Sequence, residues 1–506
     1  MCCHAMNRRE FLTTSAAGAA GLNLLTPPSV FAAENPQWLP DEPFARYGRA
    51  LRVQPVLLYN LYQPRPTTSW RPWGGLHTEN DVDEEAGRIS GELEALRAKA
   101  DFPISILPLR RVRSKDQAMQ ARDSKEYDVM LVYAASGDGG VLEACFSAER
   151  TNLLFVRHRS GPVYLWYETV HCRFLRKGGE NFEVDRFRDP AGMDVHDVVV
   201  DEYDELLWKL RALHGVHNFI GKKIVTLGGA SGWCCRLAPQ VAREKFKLQM
   251  IDVSYEELSR RIKAARTDRR LMSLTEKWAK QYLSLPNTAL ETDFSFVRNA
   301  FLLYVLFKQL MQENNADAFT INECMGTVMP LAETTACLSL SLLNDEGYMA
   351  FCESDFNVIP SGLLLYHIAG KPVFLNDPTY PHHGVVTCAH CTAPRRMDAR
   401  TYFDSRVMTH FESDYGATPK VDLPSGMEIT MICPDAAQKE WIGFSGRIVA
   451  SPFYDICRSQ YDIEIQGDCE KLLTDMRGFH WMMACGDYRR ELAYAARKIG
   501  VEWNKV

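Results

Sequence analysis

From residue 53 onward the chain repeats one pattern, in which short β-branched or apolar runs at 53–59, 103–108, 128–134 and 152–158 alternate with amphipathic segments such as 82–98. Runs of that length are too short for helices, and apolar residues at helical spacing between them supply crossovers, so the pattern predicts parallel strands joined by helices. A second set starts at 222–227, passes through 247–253 and contains helical patterns at 256–265 and 294–312. After residue 376 the helical period gives way to short apolar runs at 385–388, 427–433 and 442–449, broken by Pro, Gly and Asp, and a helical segment at 487–499 closes the chain. Short runs with turn residues between them fit an antiparallel barrel. The expected fold class is therefore α/β: two Rossmann-like parallel α/β domains, at 45–220 and 221–376, followed by a small antiparallel β-barrel domain with a closing helix at 377–506.

A length of 506 residues with 46% hydrophobic and 24% charged residues can bury several cores. The formal charge of −6 offers no broad cationic field for nucleic acid. Fifteen cysteines spread over so long a chain are read mainly as small buried hydrophobes, not as a disulfide framework. The cluster Cys388-Ala389-His390-Cys391 lacks the second pair that a zinc knuckle needs.

The first 33 residues read as an address. Asn7-Arg8-Arg9-Glu10-Phe11-Leu12 precedes a weakly hydrophobic stretch to Leu25 and the small residues of Ser29-Val30-Phe31-Ala32-Ala33. This is the layout of a removable twin-arginine signal peptide, implying periplasmic or otherwise exported protein. No later segment has about 18 uninterrupted apolar residues, so no stable membrane insertion is expected.

Two predicted strand ends carry acids toward one sheet edge, where parallel α/β sheets bind ligands: Glu353-Ser354-Asp355, and Asn376-Asp377-Pro378-Thr379-Tyr380. His390 and His480 follow. Carboxylates with imidazoles suit a borderline divalent ion such as manganese. Asp355 precedes a helical pattern at 356–368 and reads by itself as a cap. The loop Gly228-Gly229-Ala230-Ser231-Gly232 matches no phosphate-binding motif and reads as a tight turn after a strand. Glu323 ends another strand and is a candidate pocket residue; Arg71 and Trp73, in Trp70-Arg71-Pro72-Trp73, suit a sugar face or an oligomer contact. Arg395 and Arg396 read as an exposed basic turn or a site for an acidic sugar.

These motifs, in this order, resemble the L-fucose isomerase and L-arabinose isomerase group, which carries an E-x-D strand end, a hydrophobic strand closing in an acid before Thr-Tyr, and a late histidine. The L-arabinose branch adds a histidine in the position that His390 occupies. By the most direct register the second acid falls on Asn376, and Asp377 takes its place after a shift of one residue. The resemblance implies a metal-dependent aldose–ketose isomerase acting on a free sugar through an enediolate. Glu353 and Asp377 would bind metal and shuttle protons, with His390 and His480 completing the metal shell. Asn376, Tyr380, Glu323, Trp73 and Arg71 would contact substrate, and a homo-oligomer would share active sites between subunits. Asn376 keeps open a catalytically inactive carbohydrate-binding protein. Shared enediolate chemistry keeps open an epimerase or lyase.

Overall fold

The computed structural model describes residues 37–177, 186–187 and 190–506. The twin-arginine segment lies outside the described residues. The first sheet is entirely parallel: its long strand Leu51–Leu58 is flanked on one side by Ile104–Ile106 and Arg110–Val112, and on the other by Val129–Ala134, then Thr151–Val156 and Val198–Val200. Every residue of Val129–Ala134 is buried, as a central strand covered on both faces requires. The crossover helix Glu79–Lys99 starts at a capping box, where the Thr78 hydroxyl accepts from Asp81 N–H while the Asp81 carboxylate accepts from Thr78 N–H.

The second parallel sheet has the order Gln249–Val253, Lys223–Leu227, Ala318–Ile321, Met349–Phe351. The amphipathic segments between its strands form the helices Tyr255–Thr267 and Phe294–Glu313, within two residues of the sequence expectation. A closed antiparallel barrel of six strands follows: Glu428–Pro434, Trp481–Cys485, Val373–Pro378, Val385–His390, Ser459–Gln466 and Glu440–Ala450, which pairs back onto Glu428–Pro434. Closure removes the exposed edges that these apolar strands would otherwise present. The barrel begins at Val373, a few residues before the expected boundary at 376, because Val373–Phe374-Leu375-Asn376 pairs with Trp481–Ala484 instead of extending the second sheet.

The cores are continuous across the expected boundary at 220. Helix Tyr203–Phe219 packs on both Ile359–Ala369 and the closing helix Arg489–Lys498, joining the first sheet's core to barrel residues such as Trp441 and Met482. All residues of Ile359–Ala369 are buried, and each of its large aliphatic side chains contributes roughly 1.5–3 kcal/mol by leaving water. This helix starts just past Glu353 and leads into the barrel strand that ends beside Asp377, so its packing fixes one acid relative to the other. Among the described residues, no single helix is long and apolar enough to cross a membrane.

Candidate metal centre

Four side chains from separate elements converge where the second sheet meets the barrel. Glu353 lies just past strand Met349–Phe351, and Asp377 sits in barrel strand Val373–Pro378. His390 is the last residue of Val385–His390, and His480 immediately precedes Trp481–Cys485. Glu353 and Ser354 hold φ of 62° and 46°, left-handed values that cost non-glycine residues strain and are kept where the surroundings enforce them.

His480 Nε2 lies 3.2 Å from Glu353 Oε2 and 3.3 Å from Asp377 Oδ1, and His390 Nε2 lies 3.5 Å from Glu353 Oε1. Both histidines are buried. Beyond these ion-pair contacts, Glu353 Oε2, Asp377 Oδ1, His390 Nε2 and His480 Nε2 make no hydrogen bond within the protein. Atoms that converge with no other partner are placed to share a cation. The Asp377, His390 and His480 ligand atoms lie within 4.8 Å of one another, a spread that one ion can bridge. Glu353, with Cys352 and His390, forms an overlapping group of the same spread. By donor chemistry and by their unpartnered atoms, Glu353, Asp377, His390 and His480 fit a divalent ion.

The opposite ring nitrogens are occupied. His480 Nδ1 lies 2.7 Å from Asp355 Oδ2, and His390 Nδ1 lies 3.3 Å from Thr392 Oγ1. A carboxylate on Nδ1 holds the proton there and leaves Nε2 as a ligand, an arrangement common behind metal-binding histidines. Asp355 does more than lead into a helix: the N-cap of Ile359–Ala369 is Val358, and Asp355 sits in the turn before it. Its fully buried carboxylate orients His480 and also accepts from Trp233 N–H at 3.1 Å and Asn357 N–H at 3.1 Å. The signal in the sequence was the second acid of Glu353-Ser354-Asp355.

The electrostatics reflect four charges in one space. Burial opposes ionisation of Glu353, but the adjacent His390 and His480 more than compensate and hold its carboxyl well below the usual range. Burial dominates at Asp377 and raises its pKa despite the same imidazoles, with the Glu353 charge adding to the rise. Burial would lower both histidines, yet His390 is pushed up to about 10 by Asp377 and Glu353. His480 is pushed up to about 9 by its Asp355 hydrogen bond and the same two acids. The metal-free site thus holds protons where a cation would sit.

Strand alternation decides between Asn376 and Asp377. Consecutive residues face opposite sides, and it is Asp377 that meets the imidazoles. Asn376 is 0% exposed and donates to Phe374 O at 3.1 Å, so the expectation that it touches substrate is corrected: it has no open face. Arg395 and Arg396 are corrected too. Both are buried, Arg395 donating to Phe403 O and Pro286 O and Arg396 to Glu42 O and Asp345 O, so neither forms an exposed basic turn. Glu323 is exposed just past Ala318–Ile321, and Tyr380 is 75% exposed. Arg71 lies over the Trp70 ring, and Trp73 lines a cleft of about 920 Å³ with Asn60, Asp138, Trp166 and Arg173, none of them part of the four-residue cluster. The loop after Lys223–Leu227 carries no phosphate cradle: Ser231 N–H donates to Ser354 O at 3.1 Å, which brings Trp233 beside Phe479 and His480. Sequence reading passed over both aromatics.

No family model matches the sequence, and no curated protein matches it.

Proposed function

We propose that the protein is a metal-dependent aldose–ketose isomerase acting on a free sugar, built as two Rossmann-like domains and a barrel in the manner of the L-fucose and L-arabinose isomerase group. The observation that carries this reading is the convergence of four unpartnered ligand atoms, on Glu353, Asp377, His390 and His480, in a buried cluster with two carboxylates. Two carboxylates and two imidazoles suit a divalent ion, and likeness to that group makes manganese the one proposed. When bound, such an ion supplies Lewis-acid polarisation of the sugar's C1 and C2 oxygens.

The protein's own groups do the proton work. In the manner of that isomerase group, Glu353 accepts the proton from C2 of the open-chain aldose and Asp377 delivers one to C1. The electron pair released at C2 is carried by the enediolate; as C1 is protonated the O2 hydroxyl proton passes to O1, which completes the ketose without net oxidation, and Glu353 then returns its proton to Asp377 through solvent. Asp355 keeps His480 from rotating by holding Nδ1. The lining of the cleft beside Trp73 includes none of the four ligands; by likeness to that group, a neighbouring subunit of a homo-oligomer would bring this loop, and Arg71, to the sugar. Export through the twin-arginine segment would present the enzyme with unphosphorylated sugars.

The test is hydrogen exchange. Metal-loaded protein incubated with a panel of aldopentoses and aldohexoses in deuterium oxide is expected to place deuterium at the C2 or C1 position of at least one sugar. Absence of exchange across the panel, with metal bound, contradicts isomerisation.

A further inference from the structure

Two exposed aromatic side chains stand together beside His480. Trp233 is 57% exposed and Phe479 46%, and their rings are stacked with centroids 4.8 Å apart and planes 10° from parallel. Both meet His480 nearly at right angles, Trp233 at 5.7 Å and 88° and Phe479 at 4.8 Å and 85°. The imidazole whose Nε2 faces the acids is thus edged by an apolar wall that remains open to solvent.

That wall is held rigidly. One carboxylate, Asp355, accepts from the backbone N–H of Trp233 through Oδ1 and holds His480 Nδ1 through Oδ2. Phe479 directly precedes His480, and the next residue, Trp481, anchors its indole N–H on Arg477 O at 3.1 Å. The backbone is therefore fixed to the core while the rings project outward. Two large rings left half in water gain nothing for folding from their exposed faces, whereas aromatic faces beside polar groups are what recognition of an amphipathic ligand uses.

We propose that Trp233 and Phe479 form the substrate platform of this site: the C–H face of an open-chain sugar stacks on them while its C1 and C2 oxygens turn toward Glu353, Asp377, His390 and His480. The sugar class rests on the isomerase reading above. The platform assigns stacking to this chain's own residues at the cluster, apart from Arg71 and Trp73. Stacking orients the chain of carbons so that C2 meets Glu353, which makes Trp233 and Phe479 positioning residues.

The experiment compares wild type with Trp233→Ala, Trp233→Phe and Phe479→Ala, all metal-loaded, by sugar exchange kinetics in deuterium oxide and by calorimetric binding of xylitol, an open-chain probe that cannot react. The expected result for Trp233→Ala is a rise of about tenfold in KM and in the xylitol Kd, with kcat falling less and metal content unchanged. Trp233→Phe is expected to recover most of that loss, and Phe479→Ala to resemble Trp233→Ala. Unchanged KM and Kd in both alanine variants overturn the platform and leave the isomerase reading standing. Xylitol binding that depends on Trp233 without exchange of any sugar supports the platform and overturns the isomerase reading. Loss of metal from Trp233→Ala overturns the platform in favour of a structural role, and a wild type with neither binding nor exchange overturns both.

Discussion

Two of the places where the described residues bury charge are built in opposite ways. In the first sheet, the fully buried Arg157 donates through Nε to Glu85 at 2.6 Å and through its terminal nitrogens to Glu92 and Ser160, while Tyr203 donates to Glu92 and Arg88 to the other Glu85 oxygen. None of these side-chain atoms is left without a partner. At the junction of second sheet and barrel, His390 and His480 are buried while Glu353 and Asp377 are partly exposed, and each of the four turns toward a common point an atom that makes no hydrogen bond. The first arrangement is closed and holds the fold together; the second is open and asks for something from outside. Buried charge by itself does not mark a functional site. The unpaired atoms and the direction in which they face distinguish the two.

The largest expected separation between the regions comes from breaking each one. Glu353→Gln is expected to lower sugar exchange by about 10²–10⁴-fold, the usual size of a lost general base, while the metal-free protein still folds. Arg157→Met should do the reverse: it strands the Glu85 and Glu92 carboxylates and is expected to cost about 3–5 kcal/mol in chemical denaturation, with one ion still bound per folded chain. A Glu353 variant that retains full exchange, or an Arg157 variant that loses metal but not stability, breaks the comparison.

A smaller effect is expected at the residue behind the ligand. Asp355→Asn keeps the shape but weakens the hold on His480 Nδ1, and metal affinity or turnover should fall by about 10–100-fold in a direct titration. Equal affinity in the variant would show that His480 is oriented by packing alone.

The smallest effect is one of pH. Both histidines are raised above their ordinary 6.5, to about 10 and about 9, so their ion pairs in the metal-free protein contribute fully below pH 6.5 and are lost as pH rises through 9 and 10. Glu353 is depressed, so its contribution is present above its ordinary 4.5 and is lost only as pH falls below that value. Metal must displace the imidazole protons, so its affinity should increase from pH 6.5 to 9 while metal-free stability declines over the same interval, as paired titration and thermal melts would show. Affinity that is flat over this range would mean that the imidazoles are not ligands.

Much of this was legible in the chain because it depends on local periodicity. Helices Glu79–Lys99 and Phe294–Glu313 and strands Val129–Ala134 and Glu428–Pro434 fall within a few residues of their apolar patterns. The pairing that closes the barrel was not legible, since Val373–Pro378 and Trp481–Cys485 lie about a hundred residues apart and register is set by contacts across that gap. In the site, Glu353, Asp377, His390 and His480 stand out through their motifs. The choice of Asp377 over Asn376 needed the pleat of the strand, which a one-residue ambiguity in sequence cannot supply. Arg395 and Arg396 misled because their acceptors, including Pro286, Glu42 and Asp345, are distant in sequence. Asp355 looked like a cap because its partner His480 is 125 positions away, and Trp233 reaches the site only through the pairing of Ser231 with Asp355.

The central claim, that the open cluster is a metal centre, is tested most directly by titrating chelator-treated protein with manganese in a calorimeter. The account predicts one ion per chain for wild type and a large loss of affinity in Asp377→Asn and in His390→Ala, with Arg157→Met binding as wild type does. No binding by wild type, or binding that survives both cluster substitutions, would contradict it.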